Sequence, residues 1–554
     1  FYLKVLQSEQ ISIKSPMENA KNSKTEDAVT ATELAYVFHG VKHHYSYLPM
    51  DCGNKLATHL HSDSSLASKM KLGRTKIENL VENVLGPFSV KRAVEKLKAS
   101  GSPFAIATDA SNKRNRKFFP LAARFFDAES GKKDVLLDFY EEPDEPSESV
   151  TKCIIDAVNN LGLDLKDIIA YEADNASVNY GKNCSVFVKL KELQPQIIQV
   201  NCNCLVLHNA AKHSMKALSF DMEHLALKVL MSFHAVQKKK VPEVLQEYSK
   251  VLLHVPTSWL SLFAAVKRLL LNWEAIKVYF LQLGESHCNN PIWRFIGDQQ
   301  HELSDKLTLP ECYIYFVHSI MVIFQKSICI PERDAMNATE LYNVISEVSW
   351  LAGKMVNKAL PHLPRKAQEK FKTEAKAVYN RAVAYLEKWF SFENSPFKSF
   401  SCLSFKEMPS FDDILKLSVD GDASYKEFCL VHTAAPAIME DESLTGPAEK
   451  WRKFFKADQA LNFLTIIQYV FSVPCTNAFV ERVFSVLGNL WTDERNRLGV
   501  GLVKSELCIR YNLKYSCLEF HDVTIKNKTL LAAAKSNSKY KFKKKRNQKL
   551  GTNE

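Results

Sequence analysis

Three acidic residues stand where a carboxylate could do chemistry. Asp109 follows the apolar run Phe104–Thr108, Asp174 follows the apolar run Ile168–Ala173, and Glu481 sits inside the apolar segment Phe479–Leu487. Three carboxylates from separate segments can hold two divalent ions about 3.5–4 Å apart, clamping the attacking and leaving oxygens of an in-line phosphoryl displacement. Hard oxygen donors suit Mg2+ or Mn2+, so the expected cofactor is one of these, with Asp109, Asp174 and Glu481 as metal ligands and catalytic residues. Taken singly each has a plainer reading. An aspartate just after a strand is often a turn or capping residue, and Glu481 alone reads as an exposed helix position. The argument rests on their joint placement.

The elements between them supply that placement. Phe104–Thr108, Phe118–Phe126 and Val135–Tyr140 read as strands, with Asn112–Lys117 as a polar basic turn and Glu129–Lys132 as a hairpin loop. Val150, Ile154, Val158 and Leu161 recur at helical spacing before Gly162. Ile168–Ala173 and Ile197–Val200 are further strands, with a helix through Val186 and Leu190 between them and another from about Leu205. The order β-β-β-α-β-α-β-α is that of an RNase H-like mixed sheet. In that topology the first and fourth strands lie side by side and parallel, so Asp109 and Asp174 emerge together at strand C-termini, where ligand sites gather.

Beyond residue 222 strand signals thin out. Leu262, Val266, Leu269, Trp273, Ile276 and Phe280 form an apolar stripe, as do Leu341, Ile345, Val348 and Ala352. The expected fold class is α/β plus α: an RNase H-like sheet split by a large all-α insertion, with a helical N-terminal region. The expected divisions are a helical, partly disordered 1–100, core 101–221, insertion 222–455, core completion and dimerisation region 456–520, and a basic tail 521–554. Lys541–Lys549 is the dense part of that tail, suited to nuclear import or a nucleic-acid backbone and equally to a solvated terminus.

Bulk properties bound the function. At 554 residues, 46% hydrophobic and 24% charged, the chain has the composition of an ordinary globular protein of several domains. Its net charge of +11 permits nucleic acid as a partner. Thirteen cysteines without framework spacing read as reduced thiols of cytosol or nucleus. No secretory pattern or bilayer-length apolar run is evident, and a first residue Phe1 rather than Met is consistent with a fragment. The Cys202, Cys204, His208 and His213 group fits no common structural-zinc spacing. His39, His43 and Cys52 are likewise read without zinc.

The run Val473–Ser485, continuing to Asp493–Leu498, closely resembles the C-terminal signature of hAT superfamily DNA transposases. Ala107–Ser111 resembles that family's first catalytic motif, and Ala173–Gly181 its second, in the form carried by zinc-finger-BED-associated members. Asn201–Asn209 resembles its Cys-x-x-His motif and Thr257–Ser261 its Arg-Trp motif. The resemblance implies DNA binding, metal-dependent cleavage and strand transfer at transposon ends, and nuclear localisation. It also implies self-association through Phe479, Val483, Phe484, Leu487 and Trp491, although periodicity alone leaves open whether the insertion or a second copy covers that face. Trp259 would stack a base, though it opens an amphipathic helix and core packing is an equal reading. Lys113, Arg114, Arg116 and Lys117, in the turn beside Asp109, are candidates for DNA-backbone contact or equally a solvated hairpin tip, and Arg495 and Arg497 would touch DNA. No membrane or small-molecule cofactor is implied.

Two positions depart from the family pattern. Leu205 stands where a histidine is usual and Ser258 where arginine precedes the tryptophan, and no upstream zinc finger is visible. The alternative reading is therefore a domesticated or decayed, non-catalytic nuclear protein that dimerises and associates with DNA. A nuclease of the same fold acting on RNA rests on the fold alone.

Overall fold

The strand β1 (Phe104–Thr108) lies at the centre of a mixed sheet because its side chains are almost wholly buried on both faces. β2 (Ser111–Lys113), β3 (Arg116–Asp127) and β4 (Gly131–Glu141) follow in antiparallel pairing, then β5 (Ile168–Ala173) and β6 (Ile198–Asn201) join in parallel. The spatial order is β2-β3-β1-β5-β6, with β4 beyond β3. This computed structural model describes residues 24–540 except 114, 143–145, 220, 226–227, 230–258, 289, 297–308, 330–336, 355–364, 391–394, 408, 418–420 and 493–497.

The expected parallel neighbours are present: β1 pairs with β5 in a register that sets Ala105 opposite Ala170 and Ala107 opposite Glu172. The polar stretch read as a turn is instead a tight hairpin, with Ser111, Asn112 and Lys113 opposite Phe118, Lys117 and Arg116. Its pairing is carried by the backbone, so side-chain alternation gave no signal for it.

Side chains alternate across the sheet. Phe104, Ile106, Phe119, Leu121, Tyr171 and Ala173 point to one face and meet Val94, Leu97, Val150, Ile154, Val186 and Leu190 from three helices. The opposite face carries Phe118, Ala122, Leu136 and Phe139, which meet Phe479, Val480, Val483, Leu487 and Trp491 together with Val503 and Leu507. The apolar side of the Glu481 helix (Ala478–Leu490) is thus covered by the chain's own sheet and the following helix Val500–Asn512. Neither the insertion nor a second copy is required for Phe479, Val483, Leu487 or Trp491, all of them buried, while Phe484 is half-buried. Each such side chain withdrawn from water contributes roughly 1.5–3 kcal/mol.

From Asn203 to Ser472 the described residues contain helices and no strand. These helices share one continuous core with the sheet, running from Ala105 and Phe126 through Val206, Leu262, Val317 and Phe371 to Phe471. The apolar stripe from Leu262 to Phe280 is divided between two helices, Trp259–Leu271 and Trp273–Leu283, which break at Asn272. The segment Glu311–Cys329 is long and apolar enough, by length and composition, to cross a membrane. It nevertheless packs in this core through Ile314, Val317, Ile320 and Phe324.

The N-terminal helices close on the C-terminal ones: Leu34, Val37, Phe38, Ile77 and Val84 bury against Ile509, Phe520, Leu530 and Leu531. Residues 517–540, expected as the start of a tail, are folded. Ser516 and Glu519 form a capping box at the helix Cys517–Lys526, and Asn527 caps Lys528–Lys535. Lys541–Lys549 lies outside the described residues, as do residues 1–23.

Candidate functional site

Asp109 and Asp174 each stand one residue beyond parallel neighbouring strands. By alternation they continue the rows Ala105–Ala107 and Ala170–Glu172 on the face over which the Glu481 helix runs. That helix is fixed to both strands' surroundings. Gln468 Nε2 donates to Ser100 O at 2.9 Å and Ser472 Oγ to Pro103 O at 3.0 Å, tying the preceding helix Leu461–Ser472 to the start of β1. Asn203 Nδ2 donates to Cys475 O at 2.8 Å, tying the connecting turn to the end of β6.

The Asp109 carboxyl is pushed up to about 7, first by burial, then by the Asp174 and Glu481 carboxylates. It keeps partial solvent access although heavily surrounded, and Ala110 N donates to its Oδ1 at 2.7 Å. Burial also raises Glu481, against the opposing charge of Arg482, although the residue as a whole is solvent-exposed. Asp174 Oδ1 accepts from Asn179 Nδ2 at 2.6 Å and from Ala176 N at 3.2 Å. Among the described residues the three carboxylates do not all fall within 4.8 Å of one another. They sense one another electrostatically without forming a single closed shell.

Several residues around the acids carried no signal in the sequence reading. Glu172 is 1% exposed on the face that Asp174 continues. Burial holds its carboxyl well above the usual range, countered by Arg124. Its Oε1 and both amide atoms of Asn175 are buried without a partner. Asn477 lies beside Asp109 and its side chain lowers the proton affinity of that carboxyl. A glutamate within an otherwise apolar strand was the one available clue. Asp109 and Glu172, raised by burial and by neighbouring acids, and the buried unpartnered amide of Asn175 fit a hard cation, whose charge and oxygen demand would answer both.

The other site residues divide. Lys113 and Lys117 lie on the β2–β3 hairpin beside Asp109. Arg116 does not reach outward freely: it pairs with Glu141 (Nε–Oε1 2.6 Å) and lies over the Phe118 and Trp491 rings at 5.2 Å. Trp259 opens its helix, but its side chain lies outside the described residues, as do Arg114, Arg495 and Arg497. Leu205 packs, partly buried, against the main core. Cys202 and Cys204 are buried thiols.

The raised Asp109 carboxyl makes a prediction. Since its folded value lies above that of the unfolded chain, full stability is present below about pH 3.8 and is lost as pH rises through about 7. Asp109→Asn removes the penalised charge, so the metal-free protein gains on the order of a few kcal/mol at pH 8 and less at pH 5. Thermal melts at the two pH values check this; an equal or negative change at pH 8 contradicts it.

A comparison with known families agrees with the C-terminal geometry: residues 434–513 match the hAT family C-terminal dimerisation region. That span contains the Glu481 helix and the helix packed beside it. No curated protein matches the chain.

Proposed function

We propose that the chain, whose residues 434–513 match the hAT family C-terminal dimerisation region, is a hAT-family transposase-like protein that binds DNA and cleaves and joins strands at transposon ends. Its sheet is read as an RNase H-like core interrupted by the helical insertion, a reading supported by the strand order and the parallel β1–β5 pair. The observation that carries the proposal is geometric: Asp109 and Asp174 stand at the C-terminal ends of the parallel neighbours β1 and β5, on the face over which the Glu481 helix runs.

Asp109, Asp174 and Glu481 would hold Mg2+ or Mn2+. When bound, the ions supply Lewis-acid charge neutralisation and lower the pKa of an attacking water or 3′-hydroxyl. The chain's own residues place the reacting groups. Asn179 and the Ala176 N–H fix the Asp174 carboxylate, the Ala110 N–H fixes Asp109, and the Ser472, Gln468 and Asn203 contacts hold the Glu481 helix over the sheet. Lys113 and Lys117 on the hairpin are the described candidates for phosphate contact. The nucleus is the compartment that this function requires.

A second reading, a non-catalytic DNA-associated protein that dimerises, is favoured by one observation: Leu205 is packed into the core and offers the site no polar group. Incubating the chain with a pre-nicked transposon-end duplex and Mn2+ separates the two. Metal-dependent cleavage that requires Asp174 supports the enzyme, while equal inactivity of wild type and Asp174→Asn supports the binding protein.

A further inference from the structure

We propose that His39, His43 and Cys517 form a transition-metal site, with zinc as the fitting ion, that pins the N-terminal helix to the C-terminal helical layer. The site is separate from the three acids and does not depend on their role.

His39 and His43 are one helical turn apart on the helix 24–42, with His43 N donating to His39 O at 3.0 Å. At this spacing both imidazoles share a face, and their ring centroids are 4.6 Å apart. Cys517, 478 residues beyond His39, is the first residue of the helix Cys517–Lys526. Its Sγ lies 3.5 Å from His39 Nδ1 and 4.0 Å from His43 Nε2. All three ligand atoms fall within 4.8 Å of one another, the one such His/Cys/Asp/Glu group among the described residues. Zinc bonds of about 2.3 Å to sulfur and about 2.0–2.1 Å to nitrogen in a tetrahedron place S and N roughly 3.5 Å apart. The first separation already has this value, and the second needs a small rotation of an exposed ring.

The surroundings hold these groups in place. Phe38 stacks on Phe520 at 4.1 Å, docking the two helices that carry the cluster, and Arg510 Nε, from the helix Val500–Asn512, donates to Val41 O at 2.8 Å. His44 has a left-handed backbone (φ 62°) that ends the helix and returns Tyr45 N to Gly40 O at 2.9 Å. Tyr45 thereby lies beside the His39 ring at 5.4 Å. Three protein ligands leave one tetrahedral position for water or an exogenous group. The sequence offered Cys52 as the thiol nearest these histidines; it is exposed and does not belong to the cluster.

Cobalt substitution tests the proposal on the full chain, purified reduced and chelator-treated. One equivalent of Co2+ is expected to give a thiolate-to-cobalt charge-transfer band with tetrahedral d–d absorption, displaced by Zn2+. Oxygen-ligated metal at the acids gives no such band. Cys517→Ser abolishes the band, His43→Ala, at an exposed position, weakens Co2+ binding at least tenfold, and Cys52→Ser changes nothing. Zn2+ also raises the melting temperature of wild type by a few degrees and leaves that of His43→Ala unmoved. The proposal is overturned by absence of the band at one equivalent, by its survival in Cys517→Ser, or by unchanged affinity in His43→Ala.

Discussion

Asp174→Asn is expected to lower metal-dependent DNA cleavage on the order of 10³-fold while leaving DNA affinity and fold nearly unchanged. The substitution keeps the size of the side chain. Its carbonyl can still accept from Ala176 N, the 3.2 Å contact that shapes the turn after β5. What disappears is one charge beside Asp109. A single preorganised electrostatic group commonly accounts for 10²–10³ in rate, and a group that also holds metal accounts for more. The same change lowers the Asp109 carboxyl from about 7 toward the ordinary range without restoring it, because burial is its larger cause. Cleavage, filter binding and thermal melting of the two proteins measure the three quantities. Loss of cleavage together with loss of melting cooperativity would mean that the variant reports on folding.

The second large effect is on stability. Arg124 and Asp134 pair across β3 and β4, with Nε–Oδ1 at 2.6 Å and Nη2–Oδ2 at 3.1 Å, their side chains 12% and 16% exposed. Burial works against the ionised Asp134, but the Arg124 charge and hydrogen bonds more than offset it and hold the carboxyl below its usual range. Arg124→Met leaves that carboxylate buried and uncompensated, a loss of about 3–5 kcal/mol. Arg124→Met with Asp134→Leu recovers most of the loss, because two apolar groups of similar shape leave no orphaned charge. The sign in pH follows from the lowered Asp134. The stability it contributes is present above its unfolded value of 3.8 and is lost as pH falls through the still lower folded value. Denaturant midpoints of the single and double variants check both statements. The pair also bears on the candidate site, since Arg124 is the counter-charge facing the buried Glu172.

The sequence was most readable where burial imposed a period. Ile168–Ala173 is buried at every position and was bounded correctly as a strand, which placed Asp174 just beyond it. The near-continuous apolar run of β3 and the apolar stretch of β4 were equally readable as strands. The β2 hairpin escaped because its residues are polar on both faces and only backbone pairing defines it. The helix Lys528–Lys535 escaped because Ala and Lys make up most of it, and Cys517–Lys526 because its apolar residues are spread among polar ones. The signal present was the Ser516-x-x-Glu519 capping box. The apolar face of the Glu481 helix reads as more than its own domain can bury, but the sheet residues Phe118 and Phe139, far away in sequence, and Leu507 of the following helix cover it. Tertiary proximity of this kind also hid Cys517 from His39, and Asn477 from Asp109.

The central claim is that Asp109, Asp174 and Glu481 serve one divalent-ion site. Anomalous scattering from crystals grown with Mn2+ and a transposon-end duplex tests it most directly. The account predicts manganese peaks within bonding distance of carboxylate oxygens from all three residues, lost in Asp174→Asn crystals. Fully occupied manganese elsewhere, with these carboxylates unliganded beside bound DNA, would contradict it.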